Sequence, residues 1–266
     1  KMSTKFTLGV IGAGNMANAI VSGAIKKLLK PNEIIISDKD ETKLKNFKEL
    51  GFTVTTDNVE VVKNSENLLF AVKPQIAPIV FEDIKGKIEA DTVISIMAGI
   101  NISTLEKNLG SFNFVRVMPN TPAMLGEGMS ALAFKGNFEN KDFIMNLFVS
   151  LGKAVELDEK HFDAVTSVSG SGPAYVYMFI KAMIDGGIDG GLTAETAKIL
   201  TLQTIIGACK MVETSPKQID ELIDAVCSKG GTTIEAVNSY RNDDLNGIIR
   251  KGIAKCKKRS EELSRG

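Results

Sequence analysis

The sequence predicts an α/β protein whose first half forms a doubly wound parallel sheet and whose second half is entirely helical. In the first half, short apolar runs alternate with helix-like stretches, which is the pattern of parallel strands covered by helices on both faces. A glycine-rich turn joins the first run to the first helix. After residue 161 no clear strand appears, and long helical stretches are broken by Gly and Pro. We therefore predict two domains, residues 1–161 and 162–266.

The elements of the first domain follow one another in a regular order. Helices are predicted at Met16–Leu29 and Thr42–Leu50, because apolar residues recur there at helical spacing. The predicted strands, in chain order, are residues 8–11, 34–37, 68–72, 92–96 and 114–117. Successive strand–helix units wind right-handed, so these runs are expected to share one sheet.

The turn after the first strand reads Gly-Ala-Gly-Asn-Met-Ala and matches G-x-G-x-x-G/A. In that motif the first Gly allows a tight turn, the second lets the backbone approach a pyrophosphate, and the small third residue lets helix meet strand. The turn therefore indicates a Rossmann-type dinucleotide site, although a glycine-rich turn without a ligand is the alternative. The predicted cofactor contacts here are Ile11, Gly12, Ala13, Gly14, Asn15 and Met16.

Asp38, at the end of the second strand, bears on the choice between NADH and NADPH. An acid at that position accepts hydrogen bonds from the ribose hydroxyls and repels a 2′-phosphate, which favours NADH. The adjacent Lys39 would instead attract the phosphate, so NADPH stays open. Alternatively, Asp38 is a turn or N-cap residue before the helix that begins near Thr42.

The second domain is predicted to consist of helices that need a partner chain. Pro173 stands at the start of a helix that runs to Gly186 and Gly187, and further helices are predicted at Thr193–Glu213 and Asp244–Leu263. The first of these helices is apolar almost all round, and a helix with no wet face must be covered on every side. We therefore expect a homodimer formed through the C-terminal helices.

A second glycine-rich segment, Gly230-Gly231-Thr232-Thr233, precedes another helical stretch. Glycines at a helix start let a carboxylate reach the free backbone N–H groups, which makes an anion site without any arginine. Thr232 and Glu235 also have capping-box spacing. A capped helix with a flexible entry is therefore the alternative to an anion site.

Composition restricts the partners and the compartment. Lys plus Arg and Asp plus Glu number 32 each, so no long-range attraction to nucleic acid or an anionic membrane is expected. The three cysteines show neither a disulfide framework nor metal-ligand spacing, which predicts no metal and fits a reducing cytoplasm. The polar start, Lys1–Thr7, leads directly into a strand, and we expect no signal peptide.

Several stretches resemble pyrroline-5-carboxylate reductases, in the same order and over nearly the whole chain. The similar segments are Ala71–Gln75 (AVKPQ), Ser95–Gly99 (SIMAG), Val115–Met129, Asp163–Gly191 and Gly230–Ile234 (GGTTI). The resemblance implies reduction of 1-pyrroline-5-carboxylate to L-proline by NAD(P)H, the last step of proline biosynthesis. It also implies a Rossmann domain, a helical dimerisation domain that interleaves with its partner and a site at their junction. A higher ring such as a decamer stays open.

The resemblance carries site residues over where the motifs match. For the cofactor it implies, besides the glycine turn, Asn58, Ala71, Val72, Lys73 and Ala98. For the substrate it implies Ser228, Gly230, Gly231, Thr232 and Thr233. The family usually has Pro where this chain has Lys229, which removes a fixed φ angle from the substrate loop. The glutamate that often contacts substrate has no clear counterpart near Ser215 and Pro216.

The proposed chemistry needs little from side chains. Reducing a carbonyl creates an alkoxide that needs a proton donor, whereas reducing an iminium gives a neutral amine. His161, the only histidine, is predicted to lie on the surface. Thr233 is assigned the catalytic role: its hydroxyl is expected to contact and orient the ring nitrogen, and a relay of the nitrogen's proton through this hydroxyl stays open. A hydroxy-acid dehydrogenase is one alternative function, but its catalytic lysine would lie about one turn after a glycine-rich helix start, and Lys181 comes later than that. A coenzyme-binding sensor without catalysis is a second alternative.

Overall fold

The computed structural model describes residues 5–265 and divides into two compact units. The first contains the described chain up to Ser171 and again from Cys256 onward, and the second contains Gly172–Lys255. The predicted boundary after residue 161 falls ten residues earlier than this division.

The first unit is built on one sheet, to which eight strands contribute within the described residues. Its order, β3-β2-β1-β4-β5-β6-β7-β8, is parallel throughout except for the antiparallel pair of β6 and β7. The predicted doubly wound sheet is confirmed. The strands are β1 (Phe6–Ile11), β2 (Ile34–Ser37), β3 (Thr53–Thr55), β4 (Ser65–Phe70), β5 (Thr92–Ser95), β6 (Asn113–Met118), β7 (Gly128–Lys135) and β8 (Gly152–Glu156).

The helices of the two units alternate with the strands in the first half and follow one another in the second. In chain order they are α1 (Asn15–Lys27), α2 (Glu41–Glu49), α3 (Asn58–Lys63), α4 (Ala77–Ile84), α5 (Ile102–Leu109), α6 (Lys141–Val149), α7 (Phe162–Val165), α8 (Gly172–Asp189), α9 (Ala194–Thr214), α10 (Ile219–Val226), α11 (Thr232–Asn242) and α12 (Leu245–Arg265). A turn of π-helix, Thr166–Gly170, follows α7. None of the helices within residues 5–265 is long and apolar enough to cross a membrane.

Two apolar clusters cover the two faces of the sheet. Side chains alternate along a strand, so Val10 belongs to one cluster and Ile11 to the other. Phe148 of α6 packs in the first cluster and Phe81 of α4 in the second. Both faces are therefore closed by helices, and the strand ends are the part of the sheet left open to a ligand in a fold of this kind.

Three strands were not predicted. β3 has only three residues, none of them fully buried, and β8 is a short, mostly exposed edge strand. β7 is hidden in a stretch of small and apolar residues that fits a helix as well as a strand. β4 also begins and ends earlier than predicted, so that Ala71 and Val72 lie beyond the strand end rather than inside it.

The segment after residue 161 groups with the first unit for a physical reason. Phe162 is 1% exposed and packs in the cluster on the α4 face of the sheet. Asp163 accepts a hydrogen bond of 2.6 Å from the Ser260 hydroxyl, although the two residues are 97 positions apart in sequence. Side-chain packing therefore ties both α7 and the end of α12 to the sheet unit.

The second unit has very few buried side chains. Of the residues of α8, α9, α10 and α11, only Ala197 and Thr201 are buried. Within the unit, α8 and α9 pack as a hairpin, in which a Cβ on Gly187 would lie 3.1 Å from the Ala197 side chain. The apolar side chains that α8 leaves exposed include Val176, Tyr177, Met178 and Phe179.

Candidate cofactor and substrate sites

The turn after β1 requires glycine at its first position. Gly12 has a φ of +104°, and a Cβ there would lie 2.7 Å from the carbonyl oxygen of Ala71. The Gly12 N–H donates to the carbonyl of Ser37 at 2.7 Å, and the Ala71 N–H donates to the carbonyl of Ile11 at 2.9 Å. The turn is thereby fixed between the ends of β2 and β4, where the strand order reverses.

The second glycine leaves open space for a ligand. Gly14 is the N-cap of α1, and a Cβ there would meet no atom within 4 Å. No side chain caps α1, and its first turn has no acidic residue. Free N–H groups and the positive end of a helix dipole favour an anion. The turn therefore fits the pyrophosphate of a dinucleotide. Asn15 is exposed and Met16 half-buried beside it.

Asp38 is joined directly to this turn. Its Oδ2 accepts a hydrogen bond from the Ala13 N–H at 2.9 Å, and its Oδ1 accepts one from the Asp40 N–H at 2.9 Å. The ammonium of Lys43 lies 3.5 Å from Oδ2. The ammonium of the exposed Lys39 donates to the carbonyl of Thr56 at 3.0 Å. The carboxylate thus faces the glycine turn, whereas the Lys39 side chain is held at the loop before α3.

The alternative in which Asp38 caps the second helix is wrong, although its turn contact with Asp40 is present. Asp40 is the N-cap of α2, and its carboxylate accepts a hydrogen bond from the Thr42 N–H at 3.0 Å. The hydrogen bond from the Thr42 hydroxyl, followed by that from its N–H, holds the pKa of Asp40 below its ordinary value.

The other predicted cofactor residues fall into two groups. Ala71 and Val72 line the glycine turn, and Lys73 and Ala98 are exposed after β4 and β5, the next strands of the sheet. Asn58 differs, because it is only 4% exposed and its amide is already bonded to Ser37 and Asp83. Sequence reasoning did not identify Ser37 and Asp83 as partners of Asn58. The only signal in the sequence was that Ser37, a polar residue, ends the apolar strand β2.

The predicted substrate loop lies in the second unit. Gly230 has a φ of +72°, and the Gly231 N–H donates to the carbonyl of Ser228 at 2.9 Å. Gly231 is the N-cap of α11, and no side chain caps the helix. The predicted capping box is therefore wrong, since Thr232 is already the first helical residue. The backbone N–H groups at this helix start are available to an anion.

The side chains of the loop differ in exposure. Thr233 is half-buried, whereas Ser228, Lys229 and Thr232 are exposed. His161 is exposed, as predicted. Across residues 5–265, no group of three or more His, Cys, Asp or Glu residues is arranged to hold a metal ion. Besides the exposed ammonium of Lys229, the loop presents backbone amides and hydroxyls.

Two family models match the chain. The model described as pyrroline-5-carboxylate reductase dimerisation matches residues 159–263, and the model described as NADP oxidoreductase, coenzyme F420-dependent, matches residues 7–99. Pyrroline-5-carboxylate reductase of Pisum sativum is 39% identical over 99% of this chain and 98% of its own length. The chain belongs to the pyrroline-5-carboxylate reductase family. The resemblance predicted from the sequence motifs is therefore confirmed.

Further relatives of the family extend the likeness to distant organisms and to solved structures. The reductase of Methanosarcina acetivorans is 38% identical over 97% of this chain and 98% of its own. The solved structure of the Coxiella burnetii reductase is similar with a TM-score of 0.90 and 32% identity, covering 98% of this chain and 99% of its own. The Plasmodium falciparum enzyme, solved with NADP bound, is similar with a TM-score of 0.88, 32% identity and the same coverage.

Proposed function

We propose that this protein is a pyrroline-5-carboxylate reductase that reduces 1-pyrroline-5-carboxylate to L-proline with NAD(P)H, the last step of proline biosynthesis. The observation that carries the proposal is that one chain of this family holds two uncapped helix starts, each preceded by glycine. One of them, at Gly14, follows a dinucleotide-type turn, and the other, at Gly231, precedes two threonines. The first suits a pyrophosphate and the second a small carboxylate.

The chain's own contribution to the reaction is positional. When bound, NAD(P)H would supply a hydride for the imine carbon. The N–H groups at the start of α1 would hold the pyrophosphate, with Gly12, Ala13, Asn15 and Met16 in the same turn. Ala71, Val72 and Lys73 after β4 and Ala98 after β5 would contact the rest of the cofactor. The N–H groups at the start of α11 hold the substrate carboxylate, with Ser228, Gly230, Gly231 and Thr232 around it. The Thr233 hydroxyl accepts a hydrogen bond from the protonated ring nitrogen, which becomes a neutral amine, so no proton donor is required.

We further propose a modest preference for NADH. The Asp38 carboxylate beside the Ala13 N–H supports it, because a carboxylate there accepts from ribose hydroxyls and repels a 2′-phosphate. The ammonium of Lys39 would have to leave the Thr56 carbonyl to reach a phosphate. NADPH is the second candidate, and it is favoured by the solved structure of the Plasmodium falciparum relative with NADP bound.

The assembly we propose is a homodimer formed through the C-terminal helices, with stacking into a decamer as an alternative. The exposed apolar side chains of α8 and the match to a dimerisation model support the dimer. We propose a cytoplasmic location on the basis of three free thiols, Cys209, Cys227 and Cys256. Sedimentation of the assembly and fractionation of cells that express the protein test these two points.

The activity is tested by following the absorbance of NADH, and then of NADPH, with racemic 1-pyrroline-5-carboxylate at matched enzyme concentration. Rapid oxidation is expected with the wild type and none with Gly14→Asp, whose carboxylate would occupy the phosphate space. The ratio of the two rates tests the NADH preference. A folded, cofactor-binding protein that oxidises neither coenzyme would contradict the proposal. Turnover of keto acids would then indicate a hydroxy-acid dehydrogenase, and no turnover a sensor.

A further inference from the structure

The loop that follows β5, residues 96–101, carries one of the proposed cofactor contacts. Ala98, the residue assigned to that contact, is exposed, whereas the preceding Met97 is 2% exposed and packs in the cluster on the α4 face of the sheet. Gly99 then has a φ of +76°, which glycine adopts without strain. Because a methyl side chain forms no hydrogen bond, the position of Ala98 depends on how the rest of the loop is held.

The end of α12, Ser260–Ser264, packs against this loop. Asn101 donates from Nδ2 to the carbonyl of Ser264 at 3.3 Å, although the two residues are 163 positions apart in sequence. A Cβ on Gly99 would lie 3.6 Å from the Cβ of Leu263, which is an ordinary van der Waals distance. The helix end therefore contacts the loop at two positions just before α5.

The Asn101 side chain divides its hydrogen bonds between two helices. Its Oδ1 accepts hydrogen bonds of 2.8 Å from the Thr104 N–H and from the Ser103 hydroxyl, and it is the N-cap of α5. Its Nδ2 forms the bond to α12. An aspartate would keep the cap and lose the bond to α12, because a carboxylate only accepts hydrogen bonds. One substitution therefore separates the two roles of this side chain.

The end of α12 is itself anchored to the sheet unit at Asp163. Oδ1 of Asp163 accepts a hydrogen bond of 2.6 Å from the hydroxyl of Ser260 and a longer one of 3.4 Å from that of Ser264. The two serines are four positions apart and so lie on one face of the helix. Asp163 follows Phe162, which is 1% exposed in the core. The carboxylate thus fixes the helix end that contacts the loop.

We propose that the end of α12 is a positioning element of the cofactor site, which holds the loop after β5, and with it Ala98, in the conformation that contacts NAD(P)H. Asn101 and Asp163 are its positioning residues. The proposal rests on the proposed use of NAD(P)H. A loop that adopts its binding conformation only part of the time lowers the apparent affinity by that fraction. The contacts of α12 are therefore expected to strengthen cofactor binding without touching the cofactor.

Asn101→Asp tests the link between the loop and the helix end. The dissociation constant of NADH, measured by fluorescence titration without substrate, is expected to rise about threefold to fivefold, the effect of one neutral hydrogen bond. In steady-state assays KM for NADH rises by the same factor while kcat is unchanged. Asn108→Asp is the matched control, because it lies further along α5 and loses a bond of the same kind, from Nδ2 to the Thr104 carbonyl at 2.8 Å. The control is expected to keep the wild-type dissociation constant.

Asp163→Ala tests the anchor of the helix end and separates positioning from charge. This variant removes a negative charge, so electrostatics alone would tighten the binding of the anionic NADH, whereas a loosened loop weakens it. We expect binding about threefold weaker, and little further loss when the change is combined with Asn101→Asp, because both act through the end of α12. Asp163→Asn keeps an oxygen that accepts from the Ser260 hydroxyl and is expected to restore the wild-type dissociation constant.

Three results would overturn the proposal. Unchanged NADH binding in a folded Asn101→Asp protein would mean that the link does not position the loop. Weaker binding in Asn101→Asp with tighter binding in Asp163→Ala would assign the effect to charge, and an equal loss in Asn108→Asp would assign it to α5 as a whole. The titration needs no turnover, so a wild type that binds NADH but does not reduce 1-pyrroline-5-carboxylate would contradict the proposed function alone. A wild type that binds neither NADH nor NADPH would contradict both.

Discussion

The two units of this chain are both rich in apolar residues, but they differ in what those residues contact. In the sheet unit, Ile34, Ile35 and Ile36 of β2 are fully buried within the chain. In the helical unit, α8 has no buried residue, and Met178 is 74% exposed. Burying one such side chain stabilises the folded state by about 1.5–3 kcal/mol relative to leaving it exposed. The sheet unit therefore completes its own core, whereas the helical unit leaves much of its apolar surface exposed within the chain, as the proposed dimer requires.

The largest effect is expected from a charge placed on the exposed apolar surface of α8. Met178→Glu is expected to reduce the assembly to monomers, because an unpaired carboxylate in an apolar interface costs several kcal/mol, on the order of 3–5. Light scattering coupled to size exclusion measures the mass. The matched control is Leu50→Glu at the end of α2 in the sheet unit, where Leu50 is 48% exposed. The control is expected to keep the wild-type mass. An unchanged mass for the Met178 variant would contradict an interface at α8.

A second prediction tests whether the segment before α7 is part of the sheet unit. Oε1 of Glu159 accepts from Arg116 Nη1 at 3.0 Å and from the Ile102 N–H at 2.8 Å, and Arg116 is 4% exposed. Glu159→Leu would leave a buried guanidinium and a buried N–H unpaired, which is expected to cost about 3 kcal/mol of unfolding free energy. Urea denaturation of the purified protein measures this loss.

Glu156→Leu is the control for that measurement. Glu156 pairs with Lys141 at 2.8 Å, but both side chains are more than 40% exposed. An exposed ion pair contributes little, so the urea midpoint is expected to change by less than a fifth of the shift seen for Glu159→Leu, roughly the ratio of an exposed to a buried pair. Equal shifts for the two variants would mean that the buried pair does not anchor the segment.

The sequence predicts the sheet unit better where burial is strongest. β2 was predicted at its observed bounds, because its three buried isoleucines form a continuous apolar run that ends at the buried Ser37. β3 and β8 carry no such signature, since they lie at the sheet edges and are partly exposed. The grouping of the last residues with the sheet unit depends on pairs such as Asp163 and Ser260. Such long-range contacts leave no local pattern in a single sequence.

The candidate site was predictable to a different extent in its two parts. The glycine turn follows from spacing alone, because φ at Gly12 and the open space at Gly14 are demands of the motif. The bond from Ala13 to Asp38 was not predictable, since a ribose-binding acid and a turn-binding acid look the same in sequence. Similarly, the spacing of Thr232 and Glu235 predicts a cap at Thr232, whereas the structure has Gly231 as the N-cap of α11.

Within the sheet unit, the two glycines of the turn are expected to differ in their effects on stability and on NADH binding. Gly12→Ala is expected to lower the unfolding free energy by about 2 kcal/mol, because φ is positive there and the new Cβ would meet the Ala71 carbonyl. Gly14→Ala, with a negative φ and open space, is expected to leave stability unchanged and to weaken NADH binding. Thermal unfolding and NADH titration measure the two effects. If Gly14→Ala were as destabilising as Gly12→Ala, the space beside Gly14 would not be open.

The smallest expected change concerns Thr233 of the helical unit, the residue proposed to be catalytic, which lies on a helix without buried residues. Thr233→Val keeps the shape of the side chain and removes the hydroxyl, so kcat/KM for 1-pyrroline-5-carboxylate is expected to fall at least about tenfold, the effect of losing a hydrogen bond to a charged group. Stability is expected to remain at the wild-type value. Thr232→Val, at the neighbouring exposed position, is the control and is expected to change kcat/KM less. Equal losses for the two variants would assign the effect to the start of α11 as a whole, and the specific role of the Thr233 hydroxyl would be wrong.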